Sequence, residues 1–174
     1  MNTKPMPDGP APSLELQLTD GTTWSLDAQR PESFTMIVMY RGKHCPVCEK
    51  YLKTAQTLAD RYEELGVSLV AVSMDDLERA KDSKEEWGID RFPVAYGMRE
   101  ATALAWGLYL SDSIKEEEPR RFSEPGLFLV RPDGTLHYTA INSMPFGRPD
   151  LEDMADAIEF VLEKKYPARG RVAA

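Results

Sequence analysis

Two almost continuously apolar stretches, separated by a helical repeat, constrain the fold of this chain most. The segments "FTMIVMY" at 34–40 and "VSLVAVSM" at 67–74 are predicted to be strands covered on both faces, because neither shows regular polar alternation. Between them, apolar residues recur at helical spacing: Val47, Tyr51, Ala55, Leu58, Tyr62 and Leu65. Pro46 suits the first helical turn, where a missing N–H costs nothing. This order predicts a βαβ unit with parallel strands.

The flanking segments predict two hairpins and further helices. "SLELQLTDGTTWSL" alternates apolar and polar residues around Asp-Gly, and "LFLVRPDGTLHYTAI" does so around a "PDG" turn. "FPVAYG" is predicted to be a short edge strand, "REATALAWGLYL" a helix and "IKEEEPRRFSE" a charged loop. "DLEDMADAIEFVLEKKY" predicts a closing amphipathic helix with Asp150 as its N-cap.

This order of elements predicts an α/β thioredoxin-like fold, in which helices flank a mixed central sheet and an N-terminal β-hairpin is added. A chain of 174 residues forms one domain of this kind without needing a second. Residues 1–12 are rich in proline and polar residues and are predicted to be a disordered tail. We expect the domain to occupy residues 13–166 and a C-terminal tail to occupy residues 167–174.

Charge and hydropathy exclude several functions. The net charge is −8, and clustered Lys and Arg for phosphate contacts are absent outside the short C-terminal tail, so nucleic acid is not an expected partner. No apolar run reaches the roughly 18 residues that a membrane span needs, and the N-terminus lacks the apolar core of a secretion signal. We therefore expect a cytoplasmic protein, in which close cysteines are more often catalytic or metal-binding than structural.

Cys45 and Cys48, in "YRGKHCPVCEKYL", are the only cysteines of the chain. They fall where the first buried strand ends and the helix begins, and a helix N-terminus stabilises a thiolate there. Their spacing allows a disulfide, so one sulfur can attack a substrate and the other can resolve the product. Arg41, Lys43 and His44 lie just upstream and are expected to add positive charge.

Three other interpretations of the cysteine pair remain open. A closed zinc site needs four ligands, whereas the chain offers two Cys and two His in all. A copper-binding protein of the same fold would use both thiolates and His137 as the third ligand. A redox-inactive interaction module would hold the thiols buried and inert.

The segment "VMYRGKHCPVCEKYL" resembles the active-site segment of the peroxiredoxin-like, alkyl hydroperoxide reductase/thiol-specific antioxidant branch of the thioredoxin superfamily. The resemblance runs from about Ser13 to Tyr166 and includes "PGLFLVRPDGTLHY", which is similar to a strand of thiol–disulfide oxidoreductases. It implies an enzyme that reduces peroxides or disulfides through a dithiol/disulfide cycle. It also implies a thioredoxin- or glutathione-like thiol donor, a homodimer, and no cofactor or metal.

The resemblance assigns the two sulfurs in two ways. In thioredoxin-type oxidoreductases the first cysteine attacks, which implies Cys45 as nucleophile and Cys48 as resolving thiol. In peroxiredoxins the position of Cys48 is the peroxidatic one, and Cys45 and Arg41 then replace the family's Thr and Pro. We predict that Cys45 attacks and Cys48 resolves, with Arg41, His44 and Pro46 in support.

Pro125, in "EPGLF", falls at the position of the peroxiredoxin arginine. Thioredoxin-like proteins place a cis-proline there, against the active site, and a cis bond at Pro125 is therefore predicted. Arg120 and Arg121 are interpreted as part of a solvated loop, with the alternative that they fold over the site and replace the missing arginine.

Overall fold

The computed structural model describes residues 4–172 and contains one seven-stranded sheet and a separate strand pair. The strands are β1 Glu15–Leu18, β2 Thr23–Ser25, β3 Phe34–Met39, β4 Val67–Val72, β5 Val94–Tyr96, β6 Leu110–Asp112, β7 Arg121–Ser123, β8 Gly126–Val130 and β9 Leu136–Ile141. The helices are α1 Pro46–Thr57, α2 Ala59–Glu64, α3 Leu77–Glu86, α4 Glu100–Ala105 and α5 Leu151–Lys164. A short 3-10 turn, Leu26–Ala28, follows β2.

The large sheet has the order β2-β1-β5-β4-β3-β8-β9. β3 lies near its centre, parallel to β4 and antiparallel to β8, and all six of its residues are buried. One core cluster lies on each face of the sheet. The first contains residues of α1, α2, α3 and α5, and the second contains residues of α4 and the N-terminal hairpin. The predicted mixed sheet with flanking helices is confirmed.

Several local predictions are also confirmed. The N-terminal hairpin pairs Leu16 with Trp24, and β8 and β9 form the second hairpin. β3, α1 and β4 form the βαβ unit with parallel strands. Asp150 caps α5, because its side chain accepts hydrogen bonds from the backbone N–H groups of Glu152 and Asp153.

The helix after β3 is interrupted once, at Leu58, where the sequence predicts a continuous run. The Thr54 and Thr57 hydroxyls donate to backbone carbonyls one turn back, at 3.0 and 2.8 Å. Such side-chain hydrogen bonds compete with the helical pattern and bend helices. α1 and α2 therefore follow the predicted apolar face as two segments.

The edge of the sheet differs from the prediction. β5 is not an edge strand, because β1 pairs with it through Gln17–Tyr96 and Leu18–Ala95 and places β2 outermost. The segment predicted as helix and charged loop contains the short α4 followed by the β6–β7 pair. Both the inner position of β5 and the β6–β7 pair depend on pairing between segments that are distant in the chain, which a local sequence pattern does not predict.

The segment 4–12, which the sequence predicts to be a disordered tail, forms backbone hydrogen bonds with the β8–β9 hairpin. The Asp8 N–H donates to the Leu136 carbonyl at 2.8 Å, and the Leu136 N–H donates to the Gly9 carbonyl at 2.9 Å. Backbone groups of β9, the outermost strand on this side of the sheet, thus bind a segment that lacks an apolar pattern of its own. Residues 1–3 lie outside the described residues. Among residues 4–172, no helix has the length and hydrophobicity to span a bilayer.

Candidate active site

The two cysteines lie at the junction between β3 and α1. Cys45 is the N-cap of α1, Pro46 occupies its first turn, and the Cys48 N–H donates to the Cys45 sulfur at 3.2 Å. Both thiols are free, and both residues are buried, with 1% of Cys45 and none of Cys48 exposed. The junction thus places one sulfur against the unpaired N–H groups of the helix start.

A buried carboxylate shapes the loop that leads to Cys45. Asp75, three residues after the end of β4, accepts a hydrogen bond from the Lys43 N–H at 2.8 Å. Gly42 has a φ of +136°, and a Cβ there would lie 2.6 Å from an Asp75 carboxylate oxygen. Only glycine allows the loop to approach Asp75 so closely. Burial raises the pKa of Asp75, although the Lys43 N–H and Arg79 oppose this effect.

The two thiols are held in opposite protonation states. The Cys48 thiol donates a hydrogen bond to the Cys45 sulfur, and this bond is the largest influence lowering the pKa of Cys45 to about 6. Burial opposes the effect, while the Cys48 N–H and Arg41 add to it. Burial, and then the same bond to Cys45, raise the pKa of Cys48. At neutral pH the site therefore holds a Cys45 thiolate beside a protonated Cys48.

Arg41 supplies the positive charge near Cys45, and two buried carboxylates hold it in place. Its Nε lies 3.2 Å from a Glu124 oxygen, and its Nη2 lies 3.9 Å from a Glu118 oxygen. The guanidinium also lies 4.7 Å from the centre of the Phe122 ring, within cation–π range. Glu118 and Phe122 come from the segment that the sequence predicts to be only a charged loop.

The other two upstream residues do not supply positive charge to the cysteines. The ring of His44 packs 4.5 Å from that of Phe122, and burial lowers its pKa to about 4. His44 is therefore neutral near pH 7, and both of its ring nitrogens are buried without a hydrogen-bond partner. Lys43 points to α3, where its Nζ lies 3.0 Å from both Asp82 and Glu86.

Arg148 lies at the site, although no sequence pattern predicts it there. Its guanidinium stacks 4.0 Å from the centre of the Tyr51 ring, and its Nη2 donates to the Val47 carbonyl at 3.2 Å. Its charge lowers the pKa of Cys48 against the larger effect of burial. Arg148 lies about a hundred residues from the cysteines, and nothing in "FGRPD" indicates that it returns to α1.

The sequence predicts that Pro125 lies against the active site and follows a cis peptide bond. Pro125 is buried and directly precedes β8. Gly126, the first residue of β8, pairs with Met39, the last residue of β3, so Pro125 lies at the end of β3 that leads to the cysteines. The predicted cis bond is wrong, since every peptide bond of residues 4–172 is trans. The trans isomer is the lower-energy form of X–Pro bonds unless packing selects the other.

Arg121 does not fold over the site. It pairs with Asp112 at 2.9 Å and with Glu100 at 3.3 Å, and both Arg120 and Arg121 are exposed. Both arginines are therefore solvated, as predicted, although Arg121 begins β7 and does not lie in a loop.

The third copper ligand is not brought to the cysteines. Nδ1 of His137 lies 3.0 Å from Arg131, and its ring packs on Phe34 at the opposite end of β3 from Cys45. Among residues 4–172, no group of three or more His, Cys, Asp or Glu side chains forms a potential metal site.

A thioredoxin-like fold with a stabilised thiolate and a neighbouring thiol at a helix start defines a thiol-dependent oxidoreductase. The chain belongs to the AhpC/TSA family, whose family model matches residues 7–139. No curated protein sequence matches it.

Solved structures show the same fold at low sequence identity. Peroxidoxin BcpB from Mycobacterium tuberculosis is 18% identical with a TM-score of 0.74, covering 91% of this chain and 98% of that one. A peroxiredoxin-like protein from Aquifex aeolicus is 17% identical with a TM-score of 0.74, covering 91% and 89%. The mitochondrial 2-Cys peroxiredoxin from Plasmodium falciparum is 15% identical with a TM-score of 0.71, covering 97% and 100%.

Proposed function

We propose that this protein is a peroxidase in which Cys45 attacks the peroxide and Cys48 resolves the oxidised product. The observation that carries the proposal is the Cys45 sulfur itself. It caps α1, accepts the Cys48 N–H, has a pKa of about 6, and is only 1% exposed. A thiolate in such a place is nucleophilic but accessible only to a small oxidant.

In the first step, the Cys45 thiolate forms a bond to one peroxide oxygen while the O–O bond breaks. The departing alkoxide or hydroxide takes up a proton, which the adjacent Cys48 thiol can give. Cys45 is now a sulfenic acid, oxidised by two electrons, and the peroxide is reduced to an alcohol or water. Arg41 stabilises the thiolate before the attack.

In the second step, the Cys48 thiolate attacks the sulfenic sulfur, the S–O bond breaks, and the departing hydroxide takes a proton from solvent to form water. The product is a Cys45–Cys48 disulfide within one helical turn. The positive charge of Arg148 favours the ionised form of Cys48 that this step needs. Two thiols of a thioredoxin- or glutathione-like donor then reduce the disulfide and become a disulfide themselves.

A thiol–disulfide oxidoreductase without peroxidase activity is the second candidate. The placement of both cysteines in one helical turn, where the Cys48 N–H donates to the Cys45 sulfur, favours it, because such a pair can exchange with an external disulfide without help from peroxide. The burial of both sulfurs weighs against a protein disulfide as substrate, since a second sulfur must approach in line with the first.

Stopped-flow oxidation of the reduced protein, by hydrogen peroxide and separately by a small model disulfide, tests the proposal. We expect peroxide to react faster with the wild-type chain. Cys48→Ser keeps the first step and accumulates a sulfenic acid that a dimedone probe traps. Cys45→Ser reacts with neither oxidant at a rate above that of free cysteine.

Each outcome assigns the roles. Trapping of sulfenic acid in Cys45→Ser but not in Cys48→Ser would reverse the two sulfurs. Faster oxidation by the disulfide than by peroxide would select the second candidate. Met144→Ser, an exposed change outside the cysteine pair, serves as the handling control and should match the wild type.

A further inference from the structure

A cavity of about 480 Å³ lies on the α5 side of the sheet, away from the cysteines. β8 and β9 form its floor, α5 forms one wall, and the two ends of the described chain form the rest. It is called the terminal groove here, and it is lined by Lys4, Pro7, Leu129, His137, Tyr138, Thr139, Met154, Ala157, Ile158, Val161, Tyr166, Pro167, Arg169 and Gly170. Its volume falls in the range of sites for small organic molecules.

The interior of the terminal groove is apolar. Leu129, Met154 and Ile158 are core residues that present side chains to it, and Val161 packs against the same core cluster. The strand residue at its floor, Leu129, pairs with Met36 in the first half of β3, whereas Cys45 follows the other end of that strand. The groove is therefore separate from the redox site.

The charges at the groove have one sign. Lys4 and Arg169 line it, and its lining contains no Asp or Glu, although the chain has a net charge of −8 with 29 acidic residues. Arg169 is exposed, and its Nη1 donates to the Tyr166 hydroxyl at 2.9 Å, which leaves its other N–H groups available. A positive rim on an acidic protein selects an anion.

His137 adds a neutral donor at the floor. Its Nδ1 lies 3.0 Å from Arg131 Nη2. Because a guanidinium only donates, Nδ1 is the acceptor and the ring proton is on Nε2. The neutral His137 ring can therefore donate one hydrogen bond to a ligand without adding a charge to the floor of the groove.

Ion pairs and a buried residue hold the walls of the groove in place. Asp8 lies 2.9 Å from Arg131 and 3.3 Å from Arg171, so it ties the N-terminal segment to both the hairpin and the C-terminal segment. Ala168 is only 2% exposed and anchors the C-terminal segment. The first and last parts of the described chain are thus held at the positions that close the groove.

We propose that the terminal groove binds a linear alkyl carboxylate, with the chain against α5 and the carboxylate at Lys4 and Arg169. The apolar interior fits a hydrocarbon chain, and the rim without acidic residues fits a single negative head group. This site is independent of the proposed peroxidase activity, and its test does not use turnover.

Titration of the full chain with hexanoate, octanoate and decanoate, below their micellar concentrations, tests the proposal by calorimetry and NMR. We expect saturable binding of one ligand per chain. Each added pair of methylenes should tighten binding by about tenfold or more, since each buried methylene contributes about fourfold. The amide signals of β9 and the second half of α5 should shift, and those of the cysteine loop should not.

Two exposed variants separate the chain from the head group. Ala157→Phe fills the groove from an exposed helix position and should abolish binding of both decanoate and decanol. Arg169→Gln should weaken decanoate by up to about fivefold and leave decanol unchanged, as for one partly exposed ion pair. Lys81→Gln, which makes the same charge change at an exposed position of α3, is the matched control and should match the wild type.

Several results would overturn the proposal. Binding that does not saturate, does not depend on chain length, or persists in Ala157→Phe would show adsorption elsewhere. Equal affinity for decanoate and decanol would remove the role of the cations. Sedimentation that shows a dimer dissociated by Ala157→Phe would identify a second copy of the chain as the occupant. Decanoate binding only after removal of residues 1–3 would identify those residues instead.

Discussion

Cys45 and Cys48 show how two identical side chains three positions apart acquire opposite chemistry. Cys45 precedes the helix, so its sulfur receives N–H groups, and its pKa falls to about 6. Cys48 lies one turn into the helix, fully buried, and its pKa rises. One hydrogen bond between the sulfurs contributes to both shifts, because it favours the thiolate of its acceptor and the thiol of its donor.

The hydrogen bond from Cys48 is expected to control the pKa of Cys45. Cys48→Ala removes the S–H donor, so the thiolate of Cys45 loses its largest stabilising influence and its pKa should rise by about one unit or more, toward the unperturbed value of about 8.5. Cys48→Ser retains an O–H donor and should keep the Cys45 pKa near that of the wild type. Ultraviolet thiolate absorbance across a pH titration measures both.

The pH at which Cys45 loses reactivity tests the role of the Cys48 thiol. With a pKa of about 6, Cys45 is mostly ionised at pH 7 in the wild type, and reactivity should fall only as the pH drops through about 6. In Cys48→Ala the fall should begin at higher pH. An unchanged Cys45 titration in Cys48→Ala would show that the helix start and Arg41 suffice without the second thiol.

The connection between β3 and α1 is the element that positions the thiolate. It turns at Gly42, where φ is +136°, and is held by the bond from the Lys43 N–H to Asp75. Arg41 leaves this connection in the opposite direction, toward Glu118 and Glu124 on the β6–β7 side. One buried carboxylate, that of Asp75, thus fixes the backbone, and the buried carboxylates of Glu118 and Glu124 fix the cation.

Gly42→Ala is expected to destabilise the protein by about 3 kcal/mol, because it combines an unfavourable φ with a 2.6 Å contact to Asp75. Gly134→Ala is the matched control. Its φ is +84°, but nothing lies within 4 Å of the added Cβ, so about 1 kcal/mol is expected. Urea unfolding of both variants measures the difference.

Gly42→Ala should also raise the pKa of Cys45, since a displaced loop moves the N-cap and Arg41. Equal stability of the two alanine variants would contradict the close approach to Asp75. A normal Cys45 pKa in a destabilised Gly42→Ala would separate loop stability from thiolate stabilisation.

Elements with a strong local pattern were predictable from the sequence, and the others were not. A continuous apolar run predicts β3, and apolar residues at helical spacing together with the Asp150 cap predict α5. β6 and β7 are three residues each and include charged residues, so only their pairing with one another defines them. Glu118, in the same charged segment, is buried because Arg41 lies opposite it.

At the scale of the whole molecule, the chain ends contribute to the fold. The segment before β1 adds backbone hydrogen bonds to the β8–β9 hairpin, including the Ala11 N–H to the Gly134 carbonyl at 2.9 Å. Exposed strand edges accept such segments readily, because their N–H and C=O groups are otherwise paired only with water.

The corresponding prediction is that a variant lacking residues 1–11 loses about 1–3 kcal/mol of its free energy of unfolding in urea, as expected for three backbone hydrogen bonds. Asp8→Asn keeps those bonds and removes only the exposed ion pairs to Arg131 and Arg171, so its stability should stay close to that of the full chain. A truncated chain as stable as the full one would show that the segment contributes no net stability.

The βαβ unit, the two hairpins, the closing helix and the position of the cysteines at a helix start could all be predicted from the sequence. Each of these rests on interactions between residues that are close in the chain, or on a periodicity that burial imposes. The tertiary structure alone decided that Arg148 returns to α1, that Glu118 and Glu124 hold Arg41, and that His44 is neutral. Those features depend on long-range packing and on desolvation, which have no local pattern in the chain.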